Sequence, residues 1–229
     1  MTYYVDVSKF QQEDMAPYKT MGATGVIAQI TVGTSIIAPK CKAQLQSAKK
    51  NGMHRLTYHY ATFGHSISQA KAEAKYACKR AKELGFKTIH IFCDWESQDN
   101  DTSGPVNDNT DAILAFMDEV AKEGFTPGLY TGASLARNKI NTKAIVKKYG
   151  TCLWIASYYS NGAVGNANMA YFPSMDGVTM WQFTSQWHGA NLDANKVVYD
   201  PFKLKKQPKS KKKIKSVTIT GTDIKIKEN

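Results

Sequence analysis

Three carboxylates stand at the ends of apolar, strand-like runs of the sequence. Asp94 and Glu96 close the run 89–96, and Asp6 lies in an apolar run near the N-terminus. Side chains alternate between the two faces of a strand, so Asp94 and Glu96 point the same way, with α-carbons about 6.6 Å apart, while Trp95 points to the opposite face. Two acids in apolar surroundings repel each other, which separates their pKa values and leaves a proton donor beside an anion. Glycoside hydrolysis uses this arrangement.

A structural role for these acids is the alternative: they would cap the following loop or pair with cations of a barrel. The sequence has only three arginines, at positions 55, 80 and 137. Strong ion-pair partners are therefore few. Acids at the carboxyl ends of barrel strands face the active site, which favours the catalytic interpretation.

Aromatic residues at or just past the strand ends favour a sugar ligand, because flat apolar rings with polar edges match the faces and hydroxyls of sugars. Part of this set would instead fill the core. Its members are Tyr58, Tyr60, Phe63, Trp154, Tyr158, Tyr159, Trp181 and Trp187.

Other chemistries have weak signals. The segment 132–136 half-matches a nucleophile elbow but lacks the final glycine and a convincing histidine partner. The five histidines show no metal-ligand spacing, and there is no P-loop, so neither a metal nor a cofactor is expected. The four cysteines, at positions 41, 78, 93 and 152, have no C-x-x-C spacing and are predicted to be buried free thiols.

Strand-like runs alternate with helical patterns, which predicts a parallel sheet with outer helices. A closed barrel explains seven or eight strands better than an open dinucleotide-binding sheet, because no G-x-G-x-x-G follows the first strand. The segment 157–177 has little helical periodicity, so loops should join the last strands. The predicted strands are 3–7, 25–30, 56–60, 88–94, 128–131, 152–158 and 178–183, and the predicted helices are 39–51, 66–84, 109–123 and 141–149.

The positive charge is concentrated at the C-terminus. Of the net charge of +11, the ten lysines and two acids from Lys203 onward supply +8, which leaves +3 for the first 202 residues. A nucleic-acid-binding core is therefore not expected. The sequence predicts a catalytic barrel over 1–202, a Lys-rich linker over 203–215, and a short strand-like tail or stub of a wall-binding module over 216–229.

Membrane insertion is not expected, because no apolar run approaches the roughly 20 residues that span a bilayer. The first residues also lack the basic-then-apolar pattern of a secretory signal peptide.

Six sequence blocks, in order, resemble glycoside hydrolase family 25, the muramidases found in many phage endolysins. The resemblance spans residues 3 to about 200. The blocks are Asp6-Val7-Ser8-Lys9-Phe10-Gln11, Tyr58-His59-Tyr60, Asp94-Trp95-Glu96, Leu153-Trp154-Ile155-Ala156-Ser157-Tyr158, Trp181-Gln182-Phe183-Thr184-Ser185 and Leu192-Asp193-Ala194-Asn195.

The resemblance implies a TIM-like (β/α)5(β)3 barrel that hydrolyses the β-1,4 bond between N-acetylmuramic acid and N-acetylglucosamine in peptidoglycan. It implies Glu96 as the general acid and Asp94 as its partner, with acetamido participation favoured over a base-activated water. Substrate-binding or supporting roles are implied for Asp6, Asp193, Tyr58, Tyr60, Trp154, Tyr158, Trp181 and Gln182.

The resemblance also bears on partners and location. Peptidoglycan strands are the expected partner. The Lys-rich tail would also bind anionic wall polymers such as teichoic acids. A phage enzyme of this kind is made in the host cytoplasm without a signal peptide and acts on the wall after release. A non-catalytic wall-binding barrel is the alternative function, and it would tolerate loss of the acids.

Overall fold

The structure is a computed structural model of the 229-residue chain. It describes residues 1–203, together with the backbone of 214–220 and 223–228. The predicted linker therefore lies, apart from its ends, outside the described residues. The domain limits at 202 and 215 remain predictions.

Eight strands close into a barrel within residues 1–203. Around the barrel their order is β1-β9-β8-β7-β6-β5-β4-β2, and β2 pairs with β1 to complete the circle. The strands are β1 Tyr3–Val7, β2 Ala23–Val32, β4 His54–Tyr60, β5 His90–Asp94, β6 Thr126–Gly132, β7 Leu153–Ala156, β8 Val178–Thr184 and β9 Asp193–Val197, while β3 Ile36–Ile37 only extends the end of β2.

Within residues 1–203, helices follow the first five barrel strands, and no α-helix follows the later ones. Between β7 and β8 there is only a single 3-10 turn, Met169–Tyr171, and β8 leads to β9 without a helix. The predicted (β/α)5(β)3 barrel is thus confirmed. The helices are α1 Ala16–Thr20, α2 Cys41–Lys50, α3 Ile67–Glu83, α4 Val106–Lys122, α5 Ala133–Asn138 and α6 Thr142–Tyr149.

The last barrel strand departs from the prediction of a parallel sheet. Strand β9 runs antiparallel to both of its neighbours, β1 and β8. Eight residues, 185–192, connect the end of β8 to the start of β9. A parallel crossover needs roughly a dozen residues or more, so a hairpin is the connection that this length permits. As a result, the N-terminal end of β9 lies beside the carboxyl ends of the other strands.

Two apolar clusters hold the barrel together. The outer cluster joins the strands to the helices, and four alanines of α3 are buried in it: Ala70, Ala74, Ala77 and Ala81. Helix α3 begins as predicted, because the Ser66 side chain accepts a hydrogen bond from the backbone N–H of Gln69. The inner cluster fills the barrel with Tyr4, Ile27, Leu56, Tyr58, Phe92, Tyr130, Trp154 and Met180.

Further observations complete the description. All four cysteines are buried and free, as predicted. No helix in the described ranges is long and apolar enough to cross a bilayer. Near the C-terminus, β10 Ile214–Thr220 and β11 Asp223–Glu228 pair as an antiparallel hairpin.

Candidate active site

Four carboxyls gather at one end of the barrel. Asp6 and Asp94 lie at the carboxyl ends of β1 and β5, and Glu96 follows two residues after Asp94. Asp193 opens the antiparallel β9 and pairs directly with Asp6 in the sheet register. The reversed direction of β9 is therefore what brings the fourth acid to this end.

A groove of about 300 Å³ opens beside these acids. Glu96 is partly exposed and is the one carboxyl of the four that lines it, whereas Asp94 is 6% exposed and lies beneath. The lining residues are Glu96, Ser97, Tyr130, Gly132, Leu135, Ala156, Ser157 and Tyr158.

Asp94 and Glu96 face the same side, as their spacing predicts, and their carboxyls share a hydrogen bond. Burial raises the pKa of Asp94 well above its usual range, and the charges of Glu96 and Asp6 raise it further. One Asp94 oxygen, Oδ1, is buried without a hydrogen-bond partner. Burial and the neighbouring negative charges therefore favour the protonated form of Asp94. The sequence-based expectation, with Glu96 as the proton donor and Asp94 as the anion beside it, stays a prediction.

Asp6 is held by two side-chain amides. Its carboxyl accepts hydrogen bonds from Gln182 Nε2, at 3.1 and 3.0 Å, and from Asn195 Nδ2, at 2.8 Å. Burial raises the pKa of Asp6, while hydrogen bonds from Asn195, Gln182 and Asp193 act in the opposite direction. These three donors surround the Asp6 carboxyl and favour its ionised form.

The side-chain amides of Gln182 and Asn195 are themselves held by hydrogen bonds from aromatic residues. Gln182 Oε1 accepts hydrogen bonds from the hydroxyls of Tyr130, at 2.8 Å, and Tyr158, at 2.6 Å. Asn195 Oδ1 accepts one from Trp154 Nε1, at 2.6 Å. Because both amide oxygens receive donors, both NH2 groups are oriented toward Asp6.

Asp193 carries a proton at neutral pH. Burial is the largest cause, and the charge of Asp6 with the hydrogen bond to it comes next, so that the pKa of Asp193 rises to about 9. Asp193 is the donor in this hydrogen bond. The site thus contains two hydrogen-bonded carboxyl pairs, Asp94 with Glu96 and Asp6 with Asp193.

The two tyrosines of β4 lie at different depths. Tyr58 is 8% exposed and belongs to the inner cluster under the acids. Tyr60 is partly exposed, pairs with Asp94 in the register, and donates its hydroxyl to the backbone carbonyl of Gln98. Tyr60 therefore connects the end of β4 to the loop that follows Glu96.

Trp181 lies away from the groove. Met180 and Gln182 face the barrel interior, so Trp181 points outward and is fully buried in the outer cluster. Its Nε1 donates to the Ser157 carbonyl at 2.8 Å. Any role of Trp181 is thus to support the groove wall at Ser157, since its ring cannot meet a sugar.

Other aromatic residues of the predicted set also fill the core. Phe63 and Trp187 are buried in the outer cluster. Two residues of the network, Tyr130 and Asn195, were absent from the predicted site. Period-two alternation along β6 and β9 would have placed both on the inner face.

Three comparisons relate this chain to known proteins. The sequence model of glycosyl hydrolases family 25 matches residues 5–191. The lysozyme of Lactococcus phage mv1 is 39% identical over 189 residues, which cover 79% of this chain and 94% of that protein. The lysozyme of Streptococcus phage Cp-7 is 30% identical over 222 residues, which cover 96% of this chain and 60% of that protein.

Among solved structures, the Cpl-1 endolysin complexed with a peptidoglycan analogue matches with a TM-score of 0.74 and 27% identity. The match covers 99% of this chain and 61% of the endolysin chain. The chain therefore spans nearly the whole of the Lactococcus phage protein and about three-fifths of the Cp-7 lysozyme and the Cpl-1 endolysin.

Proposed function

The chain belongs to glycosyl hydrolase family 25, and from this premise we propose that it is a peptidoglycan hydrolase of the lysozyme type, acting as a phage endolysin. The lysozyme of Lactococcus phage mv1, matched over almost its whole length, supports the enzyme class. The likeness to an endolysin complexed with a peptidoglycan analogue supports the substrate. The bond cleaved is then the β-1,4 bond between N-acetylmuramic acid and N-acetylglucosamine.

Glu96 is the general acid of this proposal. The observation that carries the assignment is its position: Glu96 lines the groove, while its hydrogen-bonded partner Asp94 is buried beneath it. A group that protonates a glycosidic oxygen must reach that oxygen within hydrogen-bond distance. Asp94 supplies the proton to Glu96 and becomes the anion of the pair.

The reaction then uses two proton transfers, one to the leaving oxygen and one from the attacking water. The bond between sugar C1 and the bridging oxygen breaks, and the oxygen keeps the electron pair and takes the proton from Glu96. The acetamido oxygen of the same sugar bonds to C1, with the anionic Asp94 stabilising the positive charge. Water opens this ring, its oxygen stays on C1, and its proton returns to the carboxyl pair. Direct attack by an activated water is the alternative, and it would invert the anomeric centre.

The remaining site residues have supporting roles in this proposal. Asp6 and Asp193 place a second proton-sharing pair beside the reacting carboxyls. Gln182, Tyr158 and Trp154 fix that pair through the hydrogen-bond network, with Tyr58 below it. Tyr60 lines the sugar subsite, and Trp181 holds the groove wall.

Beyond the barrel, we propose that the Lys-rich segment binds anionic polymers of the bacterial wall, where the enzyme acts. The ten lysines from position 203 onward support this idea by their charge alone. Such attraction acts between solvent-exposed charges and weakens with salt.

The variant Glu96→Gln tests the proposal, because glutamine keeps the size of glutamate but cannot donate an acidic proton. We expect the release of reducing ends from purified peptidoglycan to fall at least about a hundredfold, the lower range for general acid catalysis. Glu83→Gln, a change on the outer helix α3, is the matched control and should leave the rate unchanged.

Two results would contradict this proposal. Full activity of the Glu96→Gln enzyme would remove Glu96 from its role. A wild-type chain that binds peptidoglycan without releasing reducing ends would instead identify a non-catalytic wall-binding barrel.

A further inference from the structure

The peptide group just before Glu96 lies where regular strand pairing ends. The register between β5 and β6 stops at the pair Asp94 and Tyr130. One further backbone bond follows, from Trp95 N–H to the Tyr130 carbonyl, at 2.9 Å. Glu96 belongs to the segment beyond this point, and the next three residues are exposed. Its position therefore depends on what holds Trp95.

A buried hydroxyl supplies the next contact. Thr131 Oγ1 donates to the Trp95 carbonyl oxygen at 2.7 Å, and Thr131 is 0% exposed. Since Tyr130 faces the barrel interior, Thr131 faces the outer layer, where a polar group is costly unless it is hydrogen-bonded. The Thr131 hydroxyl meets this need by donating to the carbonyl of the peptide group that joins Trp95 to Glu96.

Trp95 itself is fixed at its other end. Its indole Nε1 donates to the Gly64 carbonyl at 2.9 Å, and the residue is fully buried. With the side chain and the N–H both held, the carbonyl is the remaining polar group of Trp95, and Thr131 holds it. Rotation of the peptide group between Trp95 and Glu96 is thereby restricted.

We propose that Thr131 is a positioning residue that fixes the Glu96 carboxyl for proton transfer to the glycan, an inference that rests on the proposed role of Glu96. Thr131 does not touch the groove and acts through the backbone of Trp95. Proton transfer depends steeply on geometry, and a misplacement of 1 Å costs on the order of a hundredfold in rate. A single hydrogen bond at this peptide group is therefore able to influence the rate.

The test replaces the hydroxyl by a methyl group of similar size, as Thr131→Val. We expect kcat for peptidoglycan to fall by on the order of tenfold, with KM within about twofold, because the substrate-binding surface is unchanged. Thr131→Ser restores the donor and should return kcat to within about twofold of the wild-type value.

Thr57→Val is the matched control. Thr57 is also fully buried, and its hydroxyl donates to the His90 carbonyl at 2.7 Å, at the opposite end of the same strand β5. Both valine variants should lose about 2–4 °C in Tm through the lost hydrogen bond. Only Thr131→Val should lower kcat, which separates positioning from a general loss of stability.

Measuring Glu96→Gln in the same assay distinguishes failure of the positioning role from failure of the proposed function. If Glu96→Gln is inactive but Thr131→Val has the same kcat as Thr57→Val, the positioning role is wrong and the proposed function stands. If Glu96→Gln is fully active, both fall together. Should Thr131→Val fail to fold, Thr131→Ser and Thr131→Cys provide the same comparison, since a thiol is a much weaker donor than a hydroxyl.

Discussion

At the scale of single residues, the Asp6–Asp193 pair shows how the barrel changes the chemistry of a carboxyl. The register places the two acids side by side, with Asp6 buried and Asp193 partly exposed. Asp6 receives amide donors from Gln182 and Asn195, so it is the better acceptor of the two. The proton therefore rests on Asp193, although an isolated aspartate loses its proton near pH 4.

This proton predicts a pH-dependent stability. The pKa of Asp193 rises from 3.8 to about 9 in the folded chain. Between these values the folded state keeps a proton that the unfolded chain releases, so stability falls as pH rises through this window. An asparagine side chain at this position does not titrate and can still donate to Asp6. Asp193→Asn should therefore have a Tm at least about 3 °C above wild type at pH 8, measured by scanning calorimetry.

A Tm measurement at low pH is the control for this comparison. Below about pH 3 aspartate is mostly protonated in both states, and the two proteins should unfold at nearly the same temperature. Asp111→Asn, at an exposed position of α4, should show no difference at either pH. If Asp193→Asn were no more stable than wild type at pH 8, Asp193 would not hold a proton in the folded enzyme.

The sequence was sufficient to place Asp94 and Glu96 on one side of a strand but not to describe the environment of Asp94. A spacing of two residues on a strand puts Asp94 and Glu96 on one side whatever else the fold does. The raised pKa of Asp94 depends on burial, on Glu96 and on Asp6, a residue that is 88 positions away and meets Asp94 only after the barrel closes. No local pattern contains that information.

At the scale of secondary structure elements, strand β6 shows how a barrel of this size is filled. An ideal Cβ at Gly128 would lie 2.3 Å from Cδ1 of Phe92, on the neighbouring strand β5. The Phe92 ring therefore occupies the space of the missing side chain. Farther along the same face, an ideal Cβ at Gly132 meets nothing within 4 Å.

This contrast predicts opposite outcomes for the same substitution. Gly128→Ala should cost about 1–3 kcal/mol of unfolding free energy, because Phe92 must leave its position in the inner cluster. Gly132→Ala should stay within about 0.5 kcal/mol of wild type, since its backbone, with φ −68° and ψ 147°, suits alanine. Urea denaturation measures both. Equal stabilities would show that the barrel interior can adjust at Phe92.

The sequence predicted helices with a long periodic pattern correctly. It did not predict features that depend on how the strands connect, such as the direction of β9. The alanine stripe and Ser66 cap of α3 specify a helix locally. The direction of β9 is set by the short connection from β8, and the outward position of Trp181 follows from which neighbours turn inward. The short helices α1 and α5 were not predicted, since five or six residues are too few for a periodic pattern.

At the scale of the whole molecule, charge is distributed unevenly along the chain. The first 202 residues carry +3, and the residues from Lys203 onward carry +8. The groove residues that the structure describes all lie in the first part. Cleavage and attachment to the wall are therefore expected to be separable.

Truncation after Lys203 tests this separation, because Phe202, which stacks on His54, is kept. We expect the truncated enzyme to cleave soluble peptidoglycan fragments at the full rate but to bind whole walls less tightly at low salt. The difference should shrink as salt rises, since the Debye length falls from about 30 Å at 0.01 M to about 10 Å at 0.1 M. Sedimentation with walls, before and after extraction of teichoic acids, measures both dependences. If the truncated and full-length chains bind untreated walls equally at low salt, the lysines do not contribute to attachment, and the barrel alone must recognise the wall.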